Sequence, residues 1–156
     1  MLSMSMAKIR SLGVVWALAL MGATSALAGG FWLSTYSPTA PVASHISGAV
    51  VVVAAEGCHN PAAAVLSGAA EGLVKGKRRS VTLEFTPTGK PGVYAVKKQW
   101  PNEGAWVLAI TGKYLGGQSS LVVELEPNGK FRAEPAGKNL ASRIESALEA
   151  LAAKTS

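Results

Sequence analysis

The clearest order in this chain is the spacing of its apolar residues. From Gly48 a continuous run rich in β-branched residues, "AVVVVAA" (residues 49–55), marks a strand covered on both faces, because a strand with one solvated face alternates instead. Gly57 and Asn60-Pro61 end it in a turn. Next, "AAVLSGAAEGLV" (63–74) runs to Lys75-Gly76, a hairpin turn. In "RRSVTLEFT" (78–86), Val81, Leu83 and Phe85 alternate with Ser80, Thr82 and Glu84, the period of one half-buried strand. After "TPTGKPG", the segment "VYAVKKQW" (93–100) sets Tyr94, Val96 and Trp100 on one face, with the stem of Lys98 between them. Pro101-Asn-Glu-Gly104 predicts a tight hairpin into "AWVLAIT", where Trp106, Leu108 and Ile110 share a face. "SSLVVELE" aligns Leu121, Val123 and Leu125, and Asn128-Gly129 turns the chain into "KFRAE".

The period changes at the C-terminus. From Asn139, a candidate N-cap, Leu140, Ile144, Ala147, Leu148 and Leu151 fall on one stripe, with Arg143, Glu145, Glu149 and Lys154 off it. This predicts an amphipathic helix, which either docks on its own sheet or meets a partner. About six or seven short strands at regular turn spacing, with no helical crossovers, predict an all-β fold, an immunoglobulin-like antiparallel β-sandwich with a C-terminal amphipathic α-helix. A parallel α/β sheet would need a helix after each strand.

The N-terminus has a different texture. Residues 1–28 carry Lys8 and Arg10, then the apolar run "LGVVWALALMGA", then Ala26-Leu-Ala28 before Gly29-Gly30. This is the n-region, h-region and cleavage pattern of a secretory signal peptide, and the run is shorter than the roughly 20 residues of a spanning helix. The expected organisation is a signal peptide at 1–28, an irregular lead-in or first edge strand at 29–47, the sandwich at 48–133, and a linker with the helix at 134–156. The product would be periplasmic or secreted, with no integral membrane span after cleavage.

Cleavage changes the chemistry. All four methionines (Met1, Met4, Met6 and Met21) leave with the segment, and the chain has no aspartate anywhere. The loss of Lys8 and Arg10 takes the net charge from +6 to +4, spread along the chain, so no nucleic-acid partner is expected. "KGKRR" (75–79) is the one dense basic patch, either a solvated hairpin or a contact for a polyanion or lipid headgroup.

Pro91-Gly92-x-Tyr94, the Pro101-x-x-Gly104 turn and the strand opening on Trp106 resemble small exported bacterial immunoglobulin-like sandwiches over about residues 48–126. That broad group includes CopC-like and YtkA-like domains, and the resemblance implies their fold. Copper binding in CopC-like members draws on histidines at the mature N-terminus and, in some, a methionine-rich loop. Here the chain after cleavage begins "GGFWLS" and offers neither.

Candidate chemistry gathers at "AEGCHNP", which holds the chain's one cysteine beside one of its two histidines. Cys58, His59 and His45 are the residues available to a copper or zinc site, which is the alternative reading of function. Adjacent strand residues point to opposite faces, so one metal takes both Cys58 and His59 only from a contorted turn. A nucleophilic role for Cys58 lacks an aspartate to orient its base, and no CxxC or CxxCH motif is present, so no catalytic residues and no bound cofactor are expected. An unpaired thiol in an oxidising compartment also allows an intermolecular disulfide. Glu124 and Glu126 flank inward Leu125 and are expected to be solvated. The leading expectation is a non-enzymatic accessory module whose partner is another envelope protein. Its contact surfaces would be the outward strand faces, the Lys75–Arg79 hairpin, or the aromatics Phe31, Trp32 and Tyr36.

Overall fold

The computed structural model describes residues 30–43, 46–126 and 128–155, with Thr155 as backbone alone; the signal-type segment 1–28 and His45 lie outside the described residues. In chain order the elements are β1 (Trp32–Tyr36), β2 (Ala49–Glu56), β3 (Val65–Val74), β4 (Lys77–Thr82), β5 (Phe85–Pro87), β6 (Val93–Lys97), β7 (Ala105–Tyr114), β8 (Gly117–Leu125), β9 (Phe131–Pro135) and α1 (Leu140–Thr155). One sheet has the order β1-β2-β6-β5 and the other β4-β3-β7-β8-β9, with every pairing antiparallel. The first sheet follows the ABED order of the immunoglobulin sandwich. The second extends the CFG order by one strand at each edge.

Three apolar layers follow from the residue pattern. Between the sheets lie Leu33, Val51, Val53, Leu83, Val96, Trp100, Trp106, Leu108, Ile110, Leu121 and Val123, which include the inward faces expected for β7 and β8. The outer face of the first sheet, Val52, Ala54, Val93 and Ala95, is covered by Val42, Ala43 and Ile46 from the β1–β2 connection. The continuous β2 run is therefore apolar on both faces because both are covered. Against the outer face of the second sheet, Val107 and Val122 meet Ala147, Leu148 and Leu151, with Leu140 and Ile144 beside them. The whole predicted helix stripe docks on its own domain.

Two connections differ from the sequence expectation. The "RRSVTLEFT" segment is not one strand: β4 belongs to the second sheet and β5 to the first. Leu83, at the crossing, drops into the core while its N–H bonds Gly68 O at 3.0 Å. Inward residues stay inward when the chain changes sheets, so the alternation survives a switch of partners.

Likewise Pro101–Gly104 joins β6 in one sheet to β7 in the other, so it is no hairpin. Gly104 does take the left-handed conformation (φ 91°), and a Cβ there would stand 2.6 Å from Leu73 O.

The charges also depart from expectation. Glu126 is exposed, but Glu124 is only 9% exposed. Arg132 Nη2 donates to both of its carboxylate oxygens, at 2.9 and 3.1 Å. Glu134 pairs with Arg132 and accepts from Arg143 of α1, so a line of charges ties β8 through β9 to the helix. β9, which sets Arg132 directly opposite Glu124, makes this carboxylate a buried partner where an unpaired edge would leave it solvated.

Candidate functional site

With both outer faces covered by the chain itself, the outward strand faces expected as contact surfaces are largely closed among the described residues. The edges and the two ends of the sandwich remain.

The basic hairpin is partly neutralised from within. Lys75 Nζ pairs with Glu103 at 3.1 Å, and Arg78 pairs with Glu71 and with Glu145 of α1. Its remaining charge lies along β4, an edge strand. Lysine and arginine on an edge discourage pairing with another chain, which accounts for "KGKRR" without a ligand.

The aromatics of the lead-in gather at one end. Trp32 lies over Gly57, where a Cβ would come within 2.2 Å of its ring, and its Nε1 donates to Glu56 Oε2 at 3.1 Å. The Tyr36 hydroxyl donates to the other oxygen of the same carboxylate. That hydrogen bond, with burial and the Glu56 charge, raises the Tyr36 pKa above its ordinary value of 10.0. Phe31 packs against Tyr114, with ring centroids 6.0 Å apart, and Asn60 N–H donates to Tyr114 Oη at 3.3 Å. Trp32 and Tyr36 stand out in the sequence but their common anchor does not, because Glu56 is 20 residues from Tyr36 and 24 from Trp32.

The Cys58-His59 turn sits at this same end. Cys58 is a half-buried free thiol and His59 is exposed. Among the described residues no three of His, Cys, Asp and Glu are grouped as a metal ion would require. His45, the third residue of that reading, is outside the described set.

What the sequence pattern did not single out is Leu115. It heads the two-residue turn between β7 and β8, with φ of 45° followed by Gly116 at 81°, the left-handed pair of a type I′ hairpin. A bulky side chain is strained in that conformation, where Asn, Asp or Gly is ordinarily found. Leu115 is also 89% exposed. Among the described residues the other non-glycine residue with positive φ is Lys75, heading the β3–β4 turn, and it gains an ion pair.

Leu115, Val65 at 66% and Trp32 at 46% are the exposed large hydrophobics of the described residues, and all three stand at this end. Val65 pairs in register with Lys113, one residue from Tyr114, and Phe31 links Tyr114 to β1. The signal for Leu115 was present in the sequence as "YLGG", a turn whose first position holds leucine.

No protein-family model matches the chain, and no curated protein or solved structure matches it significantly.

Proposed function

We propose that this chain is an exported, non-enzymatic immunoglobulin-like module that docks onto another protein of the cell envelope through the end bearing Trp32, Val65 and Leu115. Export is supported by the signal-type pattern of residues 1–28. Among the described residues, no helix is long and apolar enough to cross a membrane. The absence of a catalytic role is supported by how sparse the reactive types are: one thiol, two imidazoles and no aspartate.

The single observation that carries the docking reading is Leu115. It adopts a strained left-handed conformation and leaves its side chain almost wholly in water. Both features cost stability, and the fold gains no packing in return. Such local strain is retained where a surface is used.

The test is site-specific crosslinking in the native envelope, with a photo-activatable residue at position 115 and, as control, at exposed position 149 of α1. The expected result is a discrete adduct of one size from 115 and none of that size from 149. Identical adducts from both positions, or none from 115, would contradict it.

A further inference from the structure

The opposite end of the sandwich carries a different surface. Between the Pro101–Gly104 crossing and the β8–β9 turn lies a cleft of about 380 Å³, in the lower part of the range of small-molecule sites. Its apolar lining includes Val50, Leu125 and the packed pair Trp100 and Trp106, whose ring centroids are 6.4 Å apart. The Trp106 indole N–H is taken by Glu103 O at 2.8 Å, so its ring offers apolar surface and not a free donor.

Two ammonium groups, Lys98 and Lys130, stand on this lining. Like several other surface cations, Lys98 and Lys130 form no ion pair among the described residues; what sets them apart is their place beside the apolar wall. Lys98 Nζ donates to Asn102 Oδ1, a neutral partner. The one acid on the lining, Glu126, has its carboxylate engaged by Asn128 Nδ2 at 3.1 Å. The cleft thus combines an apolar wall with a positive balance, two ammonium groups against the single carboxylate of Glu126. That balance favours an anionic ligand over a cationic one, and a purely apolar ligand would make no use of the two ammonium groups.

We propose that this cleft binds a small amphipathic carboxylate, its hydrocarbon part against Trp100, Trp106, Val50 and Leu125 and its carboxylate between Lys98 and Lys130. The site is at the far end from Leu115 and stands independently of the docking reading.

Octanoate is the probe, with n-octanol and octylamine as controls, titrated into the purified protein by calorimetry and followed by amide and indole NMR shifts. Saturable binding of one octanoate per chain is expected, with shifts at Lys98, Trp100, Trp106 and Lys130. The exposed pair Lys98→Gln and Lys130→Gln, combined, weakens octanoate by about tenfold or more and leaves octanol unchanged. No saturable binding up to about 10 mM octanoate would overturn the proposal. So would octanol or octylamine binding as tightly as octanoate, or shifts confined to the Leu115 end.

Discussion

Leucine at position 115 and tyrosine at position 36 are single residues whose surroundings set their energetics. The first is strained and wet, with nothing gained in the fold. The second shares Glu56 with Trp32, so one carboxylate fastens the edge strand β1 to the end of β2.

The raised Tyr36 pKa has a definite sign. The folded state holds the phenolic proton more tightly than the unfolded chain does. That contribution is therefore complete below pH 10.0 and is lost as the pH climbs through the higher folded-state value. Denaturant midpoints of the native protein and Tyr36→Phe, compared from neutral to strongly alkaline pH, should converge above about pH 10. A constant gap across that range would mean that folding does not raise the Tyr36 pKa. Cys58 shows the limit of reading residue types singly. The pair Cys58-His59 was conspicuous in the sequence, and its surroundings were not: the thiol is half-buried and the imidazole exposed.

At the scale of elements, the helix and the β1–β2 connection act as covers. Leu148 is 2% exposed and centres the layer between α1 and the second sheet. Leu148→Ala should cost about 2–5 kcal/mol in chemical denaturation, the range for a buried leucine truncated to leave a cavity. A loss below about 0.5 kcal/mol, the level of an ordinary surface change, would show that the helix does not hold its face. The stripe Leu140, Ile144, Ala147, Leu148 and Leu151 was legible in the sequence because helical periodicity is local.

Strand faces were legible for the same reason, and the inward sets of β7 and β8 came through intact. Partnership was not. Val81, Leu83 and Phe85 keep one period while the chain leaves one sheet for the other, and Pro101–Gly104 looks like a hairpin while crossing between sheets. Both features depend on contacts distant in sequence, which alternation does not encode. Burial of Glu124 was hidden for a related reason: its partner strand, β9, comes from later in the chain.

For the whole molecule, covering both sheets turns a sandwich with two open faces into a body whose working surfaces are its ends. One end gathers Trp32, Val65 and Leu115, and the other has the tryptophan-walled cleft with Lys98 and Lys130. Each of the four sheet edges differs in defence. β4 is basic, β5 is three residues long and ends at Pro87, and β9 carries Arg132, Glu134 and Pro135, whereas β1 is uncharged. On β1 the Leu33 N–H is taken by Ser119 Oγ at 3.3 Å, which occupies part of that edge from the second sheet. The undefended strand therefore runs into the end that the docking reading assigns to a partner.

The most direct test of that reading separates stability from docking in one substitution. Leu115→Asn places a residue suited to the first position of a type I′ turn where a strained leucine now stands. It should raise stability by about 1 kcal/mol, a melting temperature a few degrees higher, while removing apolar surface from the end. Thermal unfolding and crosslinking from a neighbouring photo-activatable residue at position 65 would be measured on the same variant. A higher Tm with the partner adduct lost is the predicted result. An adduct retained at full yield, or a protein made less stable by the exchange, would contradict it.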